Sequence, residues 1–153
     1  MTQQEALDIL KMGFPVYLTG EAGTGKTYVL NQYISWLREH DMEPAVTAST
    51  GIAATHLDGV TIHSWSGIGV REGITDYDLE RMEEKKQLWN RLNDARVLII
   101  DEISMLSGEF FDMADQVLRH MRRNSAAFGG MQVVCSGDFF QLPPVQRGES
   151  SYR

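Results

Sequence analysis

The sequence has almost no cysteine. A single thiol, Cys135, among 153 residues excludes an internal disulfide and a cysteine-rich metal site. Long apolar runs are missing too, and none approaches the roughly 18 residues of a membrane span. The opening Met1-Thr2-Gln3-Gln4-Glu5 lacks the basic and apolar parts of a signal peptide. The expectation is a cytoplasmic location with no membrane partner. Positive charge is scarce: 14 Lys+Arg stand against 21 Asp+Glu, for a net charge of −7. That argues against a broad basic surface for nucleic acid and leaves room for a narrow local track. His40, His56, His63 and His120 are scattered without metal-ligand spacing, and no Ser-His-Asp set is evident. Repeats and low-complexity linkers are absent. What is present is a 42% apolar chain of one-domain size, long enough to bury roughly 70% of its unfolded surface.

One stretch organises the rest. Gly20-Glu21-Ala22-Gly23-Thr24-Gly25-Lys26-Thr27 has the phosphate-loop spacing G-x-x-x-x-G-K-[ST]. A β-prone run, Pro15 to Thr19, precedes it and a helical pattern follows. Glycines let the backbone curl without Cβ clashes, and the curl turns successive N–H groups into an anion nest at a helix N-terminus. Lys26 adds a mobile positive charge near the β- and γ-phosphates of a nucleotide, and Thr27 offers a hydroxyl to Mg²⁺. The plain alternative is a glycine-rich turn that binds nothing.

The periodicity predicts an alternation of strands and helices. A capping box at Thr2 and Glu5 opens a helix with Ala6, Ile9 and Leu10 on its apolar face. Strands are expected at Phe14–Thr19, Ala45–Ala48, Arg96–Ile100 and Met131–Ser136. Helices are expected over Gly25–His40, Ile52–Leu57, Thr75–Asn93 and Ser107–Arg123. Val60 to Trp65 reads either as a short strand or as the run into another short element. Glycines at 67, 69 and 73 mark an irregular, exposed segment. The charge run from Glu80 to Lys86 reads as a solvated helical face. Arg119, Arg122 and Arg123 match a helix C-terminus. This order predicts an α/β fold: a three-layer α/β/α phosphate-loop NTPase domain with a mainly parallel sheet and right-handed crossovers. Chemistry then belongs in the loops at the carboxyl ends of the strands.

Two further polar clusters fall there. Asp101-Glu102 ends a buried strand, as a Walker B pair does. Asp101 is a candidate for holding Mg²⁺ largely through water. Glu102 is placed to orient and deprotonate an attacking water. Consecutive strand side chains point differently, so one acid faces the metal and the other the γ-phosphate. Gly137-Asp138-Phe139-Phe140-Gln141 ends the next apolar strand. Gln141 has a donor and an acceptor without charge, suited to sensing the γ-phosphate. Asp138 would orient nearby donors or contact the lysine or metal shell. In Thr61-Ile62-His63-Ser64-Trp65, His63 and Trp65 could stack on bases and the hydroxyls donate to phosphate. The competing reading is local packing, strongest for Trp65.

These stretches together resemble the first RecA-like motor domain of the Pif/RecD-like branch of superfamily 1 DNA helicases. The resemblance rests on GEAGTGKT at 20–27, TASTGIAA at 47–54, TIHSW at 61–65, RVLIIDEISML at 96–106 and GDFFQLPPV at 137–145. It implies an ATP- and Mg²⁺-dependent motor moving 5′-to-3′ on single-stranded DNA. Lys26 and Thr27 match the phosphate and Mg²⁺ residues, Asp101 and Glu102 the metal acid and catalytic base, and Gln141 the γ-phosphate sensor. Thr50, Gly51, Thr61 and His63 lie in motifs that touch DNA in the family. A glutamine before the first strand reads adenine there, and Gln3 and Gln4 are both candidates. The resemblance also implies a second RecA-like domain in cis. With residues 1–153 forming one motor domain that stops after the glutamine motif, the chain is expected to bind nucleotide, hydrolyse it slowly and unwind nothing alone. Two alternatives stay open: another phosphate-loop ATPase of the AAA+ type, which does not predict GDFFQLPPV, and a nucleotide- or DNA-binding module without turnover.

Overall fold

A computed structural model describes residues 2–20 and 25–137. The chain enters through α1 (Gln3–Lys11), closed at its start by the expected capping box. The Glu5 amide donates to Thr2 Oγ1 at 3.0 Å and the Thr2 amide donates to Glu5 Oε1 at 2.8 Å. β1 (Val16–Thr19) starts two residues later than the apolar run suggests, because Pro15 has no N–H to give a ladder. α2 (Lys26–Glu39) and β2 (Ala45–Ala48) follow. The 52–57 segment divides into α3 (Gly51–Ala54) and a 3₁₀ turn, Thr55–Leu57. The ambiguous stretch after it takes both forms: β3 (Val60–Thr61) runs straight into α4 (Ile62–Ser66).

The glycine-rich segment at 67–73 is irregular but only partly exposed. Val70 is 97% exposed, whereas Ile68 is fully buried and anchors the segment to the core. The single helix expected over 75–93 is two, α5 (Asp76–Glu83) and α6 (Lys86–Asp94), broken at extended Lys85. The cause is helical phase. Leu79 and Met82 share one stripe, and Leu88 would sit roughly 120° away from Met82 on an unbroken helix. The break resets the phase, so Leu79, Met82, Leu88 and Leu92 are all buried in one cluster. β4 (Val97–Asp101), α7 (Gly108–Met121) and β5 (Gln132–Gly137) follow.

Among the described residues the five strands form one sheet in the order β1-β5-β4-β2-β3, every pair parallel. Strand alternation divides the core in two. Val97, Ile99 and Val134 face α1 and α2 with Leu10, Leu30 and Leu37. Leu98, Ile100, Val133 and Cys135 face the other way, against α4 to α7 with Val117 and Leu118. The three-layer α/β/α architecture is therefore the one expected. Burial pushes the Cys135 thiol up to about 12, which keeps it protonated and inert. No helix among the described residues is long and apolar enough to cross a membrane.

Arg122 ties three elements together at the far end of the domain. Its guanidinium donates to the carbonyls of Leu92 (2.9 Å), Ala95 (2.7 Å) and Gly129 (2.9 Å). It thus satisfies the last carbonyls of α6 and the turn before β5, an office the sequence assigns only loosely to a helix-end charge. Arg122→Ala is expected to lower stability by about 2 kcal/mol, since it strands several half-buried carbonyls. Arg122→Lys should restore little, because one ammonium nitrogen cannot span acceptors that Nε and Nη1 reach separately. Urea midpoints of the three proteins check this.

Candidate nucleotide site and nucleic-acid edge

β5 lies between β1 and β4, so the loops after β1 and β4 flank its carboxyl end. Thr19 pairs with Gly137, and Ile100 with Cys135. The Lys26 ammonium donates to Gly20 O and, at 3.2 Å, to Gly137 O. Ser136 Oγ donates to Asp101 Oδ1 at 2.6 Å. Adjacent residues of one strand thus hold the lysine of the first motif and the acid of the second. Ser136 is fully buried and Asp101 is 8% exposed. Sequence reasoning missed Ser136. Nothing distinguishes that serine until the strand order is known.

Gly25 begins α2 with φ +94, and among the described residues no side chain caps the helix, which leaves its first amides suited to an anion. A side chain at Gly25 would overlap the Gln3 amide nitrogen. Gln3 therefore reaches over the last glycine of the loop. Gln4 points elsewhere, its amide donating to Asp8 Oδ1 at 2.8 Å along the surface of α1. Thr27 is exposed at the second position of α2. Glu21, Ala22, Gly23, Thr24, Asp138 and Gln141 lie outside the described residues.

The acidic pair separates for a different reason than strand alternation. Asp101 ends β4, and Glu102 takes a left-handed conformation, φ 57 and ψ 46. The Glu102 amide turns back to donate to Asp101 Oδ1 at 2.9 Å. Asp101 Oδ1 thus accepts two hydrogen bonds, whereas Oδ2 accepts none among the described residues. A left-handed non-glycine residue is costly, and such residues concentrate where geometry serves a site.

β2 and β3 continue the same edge. Ala48 pairs with Asp101 on one side and with Thr61 on the other. Thr50 and Thr61 each cap a short helix, accepting from Ala53 N at 3.1 Å and Ser64 N at 3.2 Å. Each hydroxyl keeps its own proton to donate. Among the described residues, nothing lies within 4 Å of a side chain placed at Gly51. His63 lies half-buried with its ring 4.2 Å from that of Phe110. Trp65 is a core residue, 6% exposed. The structure therefore brings Gly20, Gly25, Lys26 and Asp101 around the end of β5, and sets Thr50, Gly51, Thr61 and His63 beside them.

A family model for PIF1-like helicases matches residues 3–152. The chain belongs to the PIF1-like helicase family. Its relatives include an ATP-dependent DNA helicase Pif1 of Psychrobacter sp. (strain PRwf-1), 59% identical over 99% of this chain and 23% of that protein. Among solved structures, the Pif1 helicase of Candida albicans superposes with a TM-score of 0.87 at 40% identity, covering 97% of this chain and 34% of the other. A Bacteroides Pif1 helicase in complex with ADP-AlF3 and ssDNA superposes with a TM-score of 0.77 at 38% identity, over 97% of this chain and 34% of that one. The chain thus spans about a quarter to a third of these PIF1-like relatives.

Desolvation against Phe110 pushes the His63 pKa below its ordinary 6.5. The unfolded ring takes a proton near 6.5 and the folded ring resists it. His63 therefore contributes stability that is full above that value and is lost as pH falls through the lower folded one. His63→Phe is expected to flatten the acid-side fall in melting temperature from about pH 7.5 to about pH 5. Equal slopes in both proteins would contradict this assignment.

Proposed function

We propose that this chain is the first motor lobe of an ATP-dependent DNA helicase, with the 5′-to-3′ polarity that the Pif/RecD-like resemblance implies. It holds one half of the ATP site, and a second RecA-like domain in cis would supply the other half. The observation that carries the reading is the convergence of Lys26 and Asp101 on the end of β5, within a chain matched to PIF1-like helicases along nearly all its length. A AAA+ ATPase would share the two motifs but not that match.

Mg²⁺-ATP would supply the phosphoryl group whose transfer to water drives the motor. The protein's own groups fit it. Lys26 would exchange the carbonyls of Gly20 and Gly137 for phosphate oxygens. Those carbonyls keep the ammonium at the strand end beforehand, so little side-chain freedom is left to lose. Thr27 and Asp101 would hold the metal side, Asp101 through Oδ2 and water. Glu102 would orient and deprotonate the attacking water, and Gln141 would sense the γ-phosphate, with Asp138 beside it. Of the two adenine candidates, Gln3 is favoured because its amide lies against Gly25. Gln4 is engaged by Asp8.

Single-stranded DNA would run along the edge formed by Thr50, Gly51, Thr61 and His63. The two threonine hydroxyls and the open backbone at Gly51 suit phosphate oxygens, and the free face of His63 suits a base. The net charge of −7 confines such a contact to this local track.

Equilibrium titration with ATP and Mg²⁺ tests the nucleotide reading. Lys26→Ala should weaken binding about ten- to hundredfold, the worth of one charge-assisted contact. Gln3→Ala should erode preference for ATP over GTP, and Gln4→Ala should not. Turnover measured with and without single-stranded oligonucleotide separates a motor lobe from a silent binding module. Unchanged ATP affinity in Lys26→Ala would refute the site.

A further inference from the structure

The sequence marks His56 only as one of four scattered histidines, yet the fold places it against the metal-side acid. Asp101 Oδ1 is occupied by Ser136 and the Glu102 amide. Asp101 Oδ2 faces His56, whose Nδ1 is 3.9 Å away. That is about 1 Å longer than an ordinary N–H···O bond, so a small ring movement makes or breaks the contact.

The turn that carries His56 has little freedom. Thr55 Oγ1 donates to Ile52 O at 2.7 Å, and the Gly59 amide donates to Ala54 O at 2.8 Å. Leu57 is buried, and a side chain at Gly59 would overlap the Val46 carbonyl. α3 is continuous with this turn and its Ala53 and Ala54 are buried as well. At the start of the same piece the Ser49 amide donates to Asp101 O at 3.1 Å. The segment from Ser49 to Leu57 therefore meets Asp101 twice, by backbone at one end and by imidazole at the other. Thr50 and Gly51, the candidate DNA contacts, lie between.

We propose that His56 is a positioning residue for Asp101, through which the Thr50 segment is coupled to the metal side of the nucleotide site. The inference rests on the nucleotide-site reading above. A load on Thr50 is carried by a short, packed helix and turn to the His56 ring. The ring sets the rotation of the Asp101 carboxylate, and the Glu102 amide is bonded to that same carboxylate. The candidate DNA contact and the metal-side acid are thereby joined through one short, packed segment and one side chain.

The test measures ADP affinity of this chain with Mg²⁺ and with a chelator in its place. The ratio of the two reads the metal side alone. His56→Ala is expected to reduce the Mg²⁺ enhancement about tenfold, the usual scale for losing a partner of a metal-site ligand, and to leave metal-free ADP affinity unchanged. His56→Asn, whose amide nitrogen lies near the position of Nδ1, should restore part of it. Thr50→Ala should lower the enhancement in the presence of His56 and do nothing further in His56→Ala, as coupled residues behave in a double-mutant cycle. An unchanged enhancement in His56→Ala, or equal losses with and without metal, would overturn the positioning role. Additive effects of Thr50→Ala and His56→Ala would overturn the coupling. Absence of ADP binding in the unaltered chain would instead overturn the nucleotide-site reading, and this inference with it.

Discussion

The insertion of β5 between β1 and β4 is the constraint on which the site depends. Parallel pairing fixes which residues share a level at the carboxyl edge, and it does so through backbone bonds. Gly137 stands level with Thr19, and Cys135 with Ile100. One carbonyl and one hydroxyl at the end of β5 then hold Lys26 and Asp101, which are far apart in sequence. A strand slipped by one residue would turn Ser136 to the other face and leave the buried Asp101 short of a donor. Core packing defends the register, because Val133 and Val134 belong to opposite core clusters.

The same edge would let an acidic chain offer the proposed track to nucleic acid. Its proposed contacts are hydroxyls that already cap helices, exposed backbone and one neutral ring, not a field of lysines. Thr50 and Thr61 each satisfy a helix amide while keeping a proton to donate. Thr50 follows β2 and Thr61 ends β3, and the two strands pair at Ala48. Asp101 lies on the next strand over, so the candidate nucleotide end and the candidate DNA edge are neighbours in one sheet. The Ser49 amide bonds the two strand ends directly, and His56 would add the second, proposed link.

Much of this was legible in the sequence, and for identifiable reasons. The loop at 20–27 carries its own chemistry, and the continuous apolar runs before Asp101 and Gly137 announce buried strands. Local patterns were harder to read where two solutions satisfy the same residues. The charge run at 80–86 is compatible with one helix or two, and only the need to bury both Met82 and Leu88 decides for two. Ile68 hides in a glycine-rich stretch that reads as surface, and Val60 to Trp65 divides between strand and helix. The left-handed turn at Glu102 has no sequence signal, since any residue following a strand could have been extended. Ser136 and His56 were invisible for a deeper reason. Their partners are set by strand order and by a packed turn, and periodicity carries neither.

The central claim is that the end of β5 is the floor of a nucleotide site shared by Lys26 and Asp101. A crystal structure of this chain with Mg²⁺ and a non-hydrolysable ATP analogue tests it most directly. The account predicts that Lys26 Nζ leaves the carbonyls of Gly20 and Gly137 for phosphate oxygens, with the metal on the side of Thr27 and Asp101 Oδ2 and the Ser136–Asp101 bond intact. Nucleotide bound away from the end of β5, or bound there with Lys26 still on its two carbonyls, would contradict it.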